Sequence, residues 1–469
     1  MSGISSAFNV ARSGLALNSH WSELVSGNIA NADNPDYGRR TLSRETTSEG
    51  AVLVSGVARA GSASLTRMYR EETARMTRQE SLATGLVAYT NALGTLDDPS
   101  SPMQLLNQFQ TSYDFLFNDP GQTSLQQATL QSAQALTRGL NRISNNLDTA
   151  TGETLQRLTS DITETNKLME QVARLNTQLT KTQENSALYV TLQDQQTQAL
   201  NRLAEFADIK VDFGAQGTVE VRTMTGALLV QRDTVHKLAY DEGSKVLTAG
   251  GIDVSPSRGI GIKGGRLAGH VELLTDTLPV IRLQLDEFAR ALVETFEGAD
   301  GSLGVGDAGL FTDAGAAYDP AALTGLAGRI RVNDAVDPSA GGALWRLRDG
   351  IGAATAGTYG DTTQIAAFVD AMDGPQTFDG GTGLPTGIAL SEFGAAMLAA
   401  QQNTRARAQE SFENYAASTA SIDDARLNAQ GVSLDDELQQ LLLIEKSYAA
   451  NAQVITSLTA MLDALLAAT

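Results

Sequence analysis

The two ends of the chain are apolar, rich in small residues and almost uncharged. Residues 1–31 carry only Arg12 and Glu23 as charged side chains at neutral pH, and residues 447–469 carry only Asp463, in a chain that is 19% charged. The first end places Ile4, Phe8, Ala11 and Leu15, then Val25 and Ile29, at spacings of three and four, one face of a helix. It stops at the turn cluster Asn31-Ala32-Asp33-Asn34-Pro35-Asp36-Tyr37-Gly38. The last segment opens with Ser433-Leu434-Asp435-Asp436, a capping-box pattern whose acids complement the helix dipole. Its stripe runs Leu438, Leu441, Ile444, Tyr448, then Ile455, Leu458, Leu462 and Leu465, interrupted by Asn451. Asn451 reads equally as a seam residue that sets register and as the margin of a wide stripe. A surface helix normally carries a charged face. The lack of one predicts helices buried on more than one side, for which a polymer supplies the surface. Isolated helices are marginal in water, so the free chain is expected to order these ends only on assembly.

Between the ends the period changes twice. Helical spacing predicts elements over Leu65–Leu96 and Met103–Phe117, a third through Leu125, Leu136 and Leu147, a fourth through Ile162, Val172 and Leu179, and a fifth through Leu188, Leu192 and Phe206. From Ile209 the pattern alternates, with Gly214-Ala215-Gln216-Gly217 as a hairpin connection and one small antiparallel sheet to follow. Helix returns through Val271 to Phe296, where Pro279 should kink it or start its second half. Residues 298–394 hold 20 of the 44 glycines and are acidic. The length suits two to four domains. The fold class read from these patterns is mainly α with β parts, α+β. Terminal helices at 1–40 and 431–469 pair in a coiled-coil-like stem. An elongated helical core covers 41–297, with its sheet at about 207–262. An inserted loop- and β-rich outer domain covers 298–389, and a return helix 390–430.

Composition excludes several chemistries. The net charge is −20, from 54 acidic and 34 basic residues, which argues against a nucleic-acid partner and an anionic membrane surface. There is no cysteine, hence no thiol catalysis, disulfide or zinc-thiolate site. No continuous run of 18 apolar residues reads as a membrane span, and the first residues lack a basic region followed by an apolar one, so no cleaved signal is expected. Gly259-Ile260-Gly261-Ile262-Lys263-Gly264 matches G-x-G-x-x-G, but Pro256 and Ser257 precede it, and helix surrounds Gln284 and Asp286 where a strand should end on an acid. It reads as a connection between sheet and helix. Gly304-Val305-Gly306-Asp307 reads as a turn, since calcium-binding nonapeptides work as stacked repeats. His20, His236 and His270 lie apart. No catalytic, cofactor or metal site is expected.

Ser26-Gly27-Asn28-Ile29-Ala30-Asn31, then Pro35-Asp36-Tyr37-Gly38-Arg39, resembles the N-terminal signature of bacterial flagellar rod, hook and hook-associated proteins, S-x-N-I-A-N followed by P-G-Y-x-R. Here the glycine follows the tyrosine instead of preceding it. Gly431-Val432-Ser433-Leu434-Asp435-Asp436-Glu437-Leu438 and Tyr448-Ala449-Ala450-Asn451-Ala452-Gln453 resemble the C-terminal segment of the same family. The helical stretch Asp161–Phe206, leading into a sheet, is similar to the hook-associated protein 1 branch, whereas rod and hook proteins are mostly β there. Gly264-Gly265-Arg266-Leu267 before the kinked helix fits that branch, and Asp194-Gln195-Gln196 stands where it has Asp-Gln-Arg.

The resemblance implies a structural, non-enzymatic subunit of the junction between flagellar hook and filament. Its implied partners are further copies of itself in a ring or helical layer, the hook protein, the second junction protein, and a cytosolic export chaperone on the C-terminal helix. No cofactor, nucleic acid or membrane is implied. The implied location is extracellular, after type III export without a cleaved signal. The implied assembly interface takes Ile4, Phe8, Leu15, Val25, Ile29, Asn31 and Tyr37 from the first segment. From the last it takes Leu434, Leu438, Leu441, Ile444 and Tyr448, with Asn451, Ile455, Leu458, Leu462 and Leu465. The alternatives are a hook or rod protein of the same family and a nucleotide-binding enzyme built on residues 259–264.

Overall fold

A computed structural model describes residues 2–34, 37–48 and 50–467. Pro35 and Asp36 of the signature turn lie outside the described residues. The chain runs α1 (Ser2–Ala30), β1 (Arg40–Thr46), β2 (Val52–Arg59), α2 (Ala63–Leu93), α3 (Pro102–Asn118), α4 (Thr123–Leu179) and α5 (Ala187–Phe206). Seven strands follow: β3 (Ile209–Phe213), β4 (Val219–Thr223), β5 (Leu228–Gln231), β6 (Thr234–Val235), β7 (Leu238–Asp241), β8 (Val246–Ala249) and β9 (Ile252–Asp253). Then come α6 (Gly265–Glu272), α7 (Leu278–Ala299), β10 (Phe311–Asp313), α8 (Leu326–Arg329), β11 (Ile330–Val332) and α9 (Arg346–Asp349). The last elements are α10 (Thr363–Asp373), β12 (Pro375–Thr377), β13 (Gly387–Ala389), α11 (Leu390–Gln430) and α12 (Leu434–Ala467). The chain forms two compact units, one of residues 1–78, 160–268 and 413–469, the other of 79–159 and 269–412.

In the first unit the α5 core cluster joins Leu175 and Leu179 to Tyr189 and Leu192. The alternating segment forms two sheets where the sequence predicts one: β3-β4-β5-β6 and β7-β8-β9, all antiparallel. The break falls at His236-Lys237, where pairing passes from the β5–β6 hairpin to the β7–β8 hairpin. Two asparagines of α4 complete the sheet hydrogen bonding. Asn166 Nδ2 donates to the Leu238 carbonyl at 2.9 Å, and its Oδ1 accepts from Leu238 N at 2.8 Å. Asn176 Nδ2 donates to the Val219 and Arg232 carbonyls at 2.8 and 2.9 Å, and its Oδ1 accepts from Val219 N at 2.9 Å. A primary amide has the donor and acceptor of a peptide group, so a helix can cap a strand in this way.

The β1–β2 hairpin has no counterpart in the sequence reading. β1 is largely polar on both faces and β2 is largely apolar, so neither strand shows the alternation that marks a half-buried strand. Asp194 of α5 holds it, pairing with Arg40 at 2.9 Å and Arg59 at 2.6 Å.

The helices predicted separately around Leu140 and Val172 are one 57-residue helix, α4. Thr151 and Thr154 between them bond back to the Leu147 and Ala150 carbonyls at 2.8 and 2.7 Å, inside the helical ladder. Gly152 alone costs about 1 kcal/mol relative to alanine and does not end a helix.

The second unit is built round an aromatic cluster. Phe109 and Tyr113 of α3, Phe296 of α7, Phe311 of β10 and Phe368 of α10 are fully buried, with ring centroids 5.1–5.9 Å apart. Residues 298–389 share this core. Their aspartates close short turns: Asp300, Asp319, Asp337, Asp361 and Asp379 each accept from the backbone N–H two residues on. The acidic composition is therefore turn chemistry. Pro279 acts one turn before itself. Leu273–Thr277 form a π-helical turn, with Leu278 N–H donating to the Leu273 carbonyl, which relieves the clash a proline ring makes with the preceding turn.

Both chain ends, expected to order only on assembly, are helical and paired with each other in this structure. Polar contacts between α1 and α12 supply partners within one chain.

Candidate assembly surface

α1 and α12 run antiparallel in a fixed register. Asn28 meets Glu437 at 3.0 Å and Asn18 meets Ser447 at 3.0 Å, so ten residues back along one helix match ten forward along the other. Four further on, Gly14 faces Asn451: a Cβ at Gly14 would lie 2.9 Å from the Asn451 amide, so a larger residue there would displace that side chain. Trp21 Nε1 donates to Gln440 Oε1 at 3.2 Å. The buried residues Ala11, Asn18 and Val25 of α1 recur every seven, as do Glu437, Ile444 and Leu458 of α12, with half-buried Asn451 completing that series. This settles Asn451 as a seam residue.

One end of the seam is a closed polar cluster. Asn28 Nδ2 donates to the Arg40 carbonyl at 2.9 Å as well as to Glu437. Its Oδ1 accepts from Tyr37 Oη at 2.9 Å and from Arg40 N at 3.0 Å. Glu437 is fully buried and also takes the Arg39 Nε donor at 2.7 Å. Burial raises the Tyr37 pKa, with Arg40 opposing. Ser433 caps α12, its Oγ accepting from Asp436 N at 3.3 Å. Asn31 Nδ2 donates to the Gly27 carbonyl at 2.9 Å, satisfying an acceptor in the last turn of α1.

The structure sorts the implied interface residues into two sets. Val25, Tyr37, Ile444 and Leu458 are buried, and Ile4, Leu15, Ile29, Asn31, Leu441, Asn451 and Ile455 are half-buried. Phe8, Leu434, Leu438, Tyr448, Leu462 and Leu465 are exposed, joined by Leu442, Leu443, Val454 and Met461. The stripe read as one seam therefore divides: its seven-residue positions face α1, and most of its leucines face away. Sequence reasoning left Gly14, Asn28 and Glu437 out of the site. Asn28 stood in the N-terminal signature and Glu437 in the C-terminal segment of the resemblance, neither with an interface role.

Within Leu390–Ala467 an 18-residue window, 6% buried, is apolar enough by length and composition to cross a membrane. This corrects the search for a continuous apolar run, which Asn, Ser and Thr interrupt.

A family model described as flagellar hook-associated protein FlgK helical domain matches residues 90–306, and one described as flagellar basal body rod FlgEFG protein C-terminal matches residues 424–468. The flagellar hook-associated protein 1 of Bacillus subtilis (strain 168) is 24% identical over 94% of this chain and 93% of its own length. The chain is similar to flagellar hook-associated protein 1 along nearly its whole length, and its middle and last segments match flagellar axial-protein models. A solved structure titled as the flagellar hook junction protein FlgK from Burkholderia pseudomallei is 20% identical with a TM-score of 0.44, covering 52% of this chain and 46% of that one. Hook and rod proteins of the wider family are not favoured as alternatives, because the helical-domain match covers the middle of the chain.

The glycine-rich loop at 259–264 is filled by the protein itself. A Cβ at Gly261 would lie 1.9 Å from the Ser255 carbonyl. Thr225 Oγ1 donates to the Gly261 carbonyl at 2.8 Å. Asp208 accepts from Lys263 N at 2.8 Å. Asp286 spends both oxygens on Gly325 N and Ala327 N, at 2.7 and 2.9 Å.

Asp208 gives the first unit a pH dependence. Burial pushes its carboxyl up to about 6 from 3.8, against the lowering by the Gly264 and Lys263 amides. The folded state thus holds this proton more tightly than the unfolded one. Its contribution is fully present below pH 4 and is lost as pH rises through about 6. Asp208→Asn is expected to flatten urea midpoints between pH 4 and 6 and to match or exceed the parent at pH 7 by about 1–2 kcal/mol. A variant profile parallel to that of the parent would refute this.

Proposed function

We propose that this protein is a structural subunit at the junction of flagellar hook and filament, polymerised through the outward faces of α1 and α12. The observation that carries the reading is the row of exposed apolar residues on α12, from Leu434 through Leu442 to Leu465, on a helix already paired along its other face. Each Leu-sized side chain buried against a neighbour stabilises by about 1.5–3 kcal/mol. Neighbouring copies in a ring or helical layer supply that surface. The hook protein lies on the proximal side and the second junction protein on the distal side. Before assembly a cytosolic chaperone covers the same leucines. The protein reaches the cell exterior by type III export without a cleaved signal, and it has no catalytic role. The terminal segments 1–40 and 431–469 form the axial part.

Two measurements test this. Immunolabelling of isolated flagella should mark the hook–filament boundary, and label along the hook or filament instead would sink the placement. Leu442→Asp and Leu465→Asp should leave the monomer's unfolding midpoint unchanged while lowering incorporation at least about tenfold, since one buried charge costs more than the 1.4 kcal/mol this requires. Leu441→Asp and Ile455→Asp should also block incorporation, but these half-buried residues mix pairing with assembly. Normal filaments on the outward-facing variants would refute the polymer reading.

A further inference from the structure

Around the start of α2 the first unit holds a cavity of about 800 Å³ that carries more positive charge than its neighbours cancel. Arg70 lines it and is 6% exposed. Its Nε donates to Asn201 Oδ1 at 2.8 Å, and among the described residues no carboxylate pairs with its guanidinium. The charged groups that act on it are two more arginines, Arg59 and Arg426, and with burial as the larger cause they lower its pKa to about 10. Arg426 has its own acid, Asp423, at 2.7 Å. Arg59 also lines the cavity. It shares the single carboxylate of Asp194 with Arg40, and its Nη2 is buried without a hydrogen-bond partner. At the rim Arg67 pairs with Glu71 and Lys210 with Asp212, so those charges cancel.

The surplus at Arg70 and Arg59 is reinforced by backbone. Gly61 to Ser64 line the same cavity, which places the amino end of a 31-residue helix there. A helix start adds partial positive charge, with Ser62 Oγ already taking the Leu65 N–H at 3.4 Å. A buried cation without a counter-charge is costly. A charge of this kind, opening on a cavity wide enough for several atoms, is matched most simply by an anion from outside the chain.

We propose that this cavity is an oxyanion site, binding a small tetrahedral anion or a carboxylate between Arg70, Arg59 and the first turn of α2. The test uses the full chain, with chloride replaced by inorganic phosphate at constant ionic strength and thermal unfolding as readout. A ligand bound only by the folded state raises the midpoint along a saturating curve. The expected dissociation constant is about millimolar, as for a few charge-assisted hydrogen bonds in a solvated site. Arg70→Met should abolish the response. Lys210→Glu, at a side chain 57% exposed, should fold normally and weaken the response about threefold or more through charge at the mouth. Arg70→Lys keeps the charge, loses the fork and should bind more weakly than the parent. If Arg70→Met fails to fold, the last two variants decide. An unsaturating rise, no rise, or equal responses in the parent and Lys210→Glu would overturn the site. In phosphate-free buffer, a midpoint that rises with protein concentration in the parent and not in Arg70→Lys would support the same chemistry, with the oxyanion supplied as a carboxylate of a second copy.

Discussion

Replacing Glu437 by leucine is expected to release the two terminal helices from each other. Glu437 is fully buried and accepts from Arg39 at 2.7 Å and Asn28 at 3.0 Å. Leucine leaves a guanidinium and an amide hydrogen without an acceptor inside the pair. Breaking a buried pair from one side costs on the order of 3–5 kcal/mol, because the partner charge stays behind. Glu437→Gln keeps an acceptor and should cost about 1–2 kcal/mol. Hydrogen exchange on the full chain separates these outcomes. Amides of α1 and α12 should lose most of their protection in the leucine variant and part of it in the glutamine variant, while the second unit stays unchanged. Equal protection in parent and leucine variant would mean that the cluster does not hold the pair.

The second large effect lies in the other unit. Phe296 is fully buried, with its ring 5.1 Å from those of Phe311 and Phe368 and 5.4 Å from Phe109. It joins α7 to α3, α10 and β10 at once. Phe296→Ala removes the transfer energy of a phenyl group and leaves a cavity that four flanking rings cannot close, about 3–5 kcal/mol together. Phe296→Leu should cost about half, since it fills part of the space. Urea unfolding followed by near-ultraviolet circular dichroism reports on these rings, and the transition of this unit should move to lower urea. A midpoint shift smaller than that of Phe296→Leu would place the core elsewhere. Tyr113, next to it, has a buried hydroxyl with no hydrogen-bond partner among the described residues, and desolvation raises its pKa.

Local rules made part of this structure legible. The ends of α1 and α3 follow from Asn31-Ala32-Asp33 and from Asn118-Asp119-Pro120, because turn residues and proline act within a few positions. The β3–β4 hairpin follows from strict alternation about a glycine turn, with Gln216 and Gly217 both at positive φ. What stayed hidden depends on partners far along the chain. Asn166 and Asn176 look like ordinary polar positions on a helix until the strands they complete are in place. β1 is largely polar and β2 largely apolar, neither alternating, and the hairpin is held by Asp194, 154 residues on from Arg40 and 135 from Arg59. At the candidate site the apolar stripe of α12 was legible, but its division between partner and solvent was not. That division is set by Gly14 and Asn18 on the opposite helix, and one-helix periodicity cannot see them.

The register of α1 on α12 also acts as a proofreading device. Seven-residue spacing would let two such helices slide by one repeat and still present similar faces. Here a slide in one direction sets Glu437 against Trp21 and Ser447 against Ala11, while the opposite slide sets Ile444 against Asn28 and Asn451 against Trp21. Either way a buried charge or amide loses its partner, so misaligned pairings are rejected by several kcal/mol. A chain whose ends were drawn apart and then rejoined would lock at a single setting, and that setting fixes where each outward-facing leucine stands.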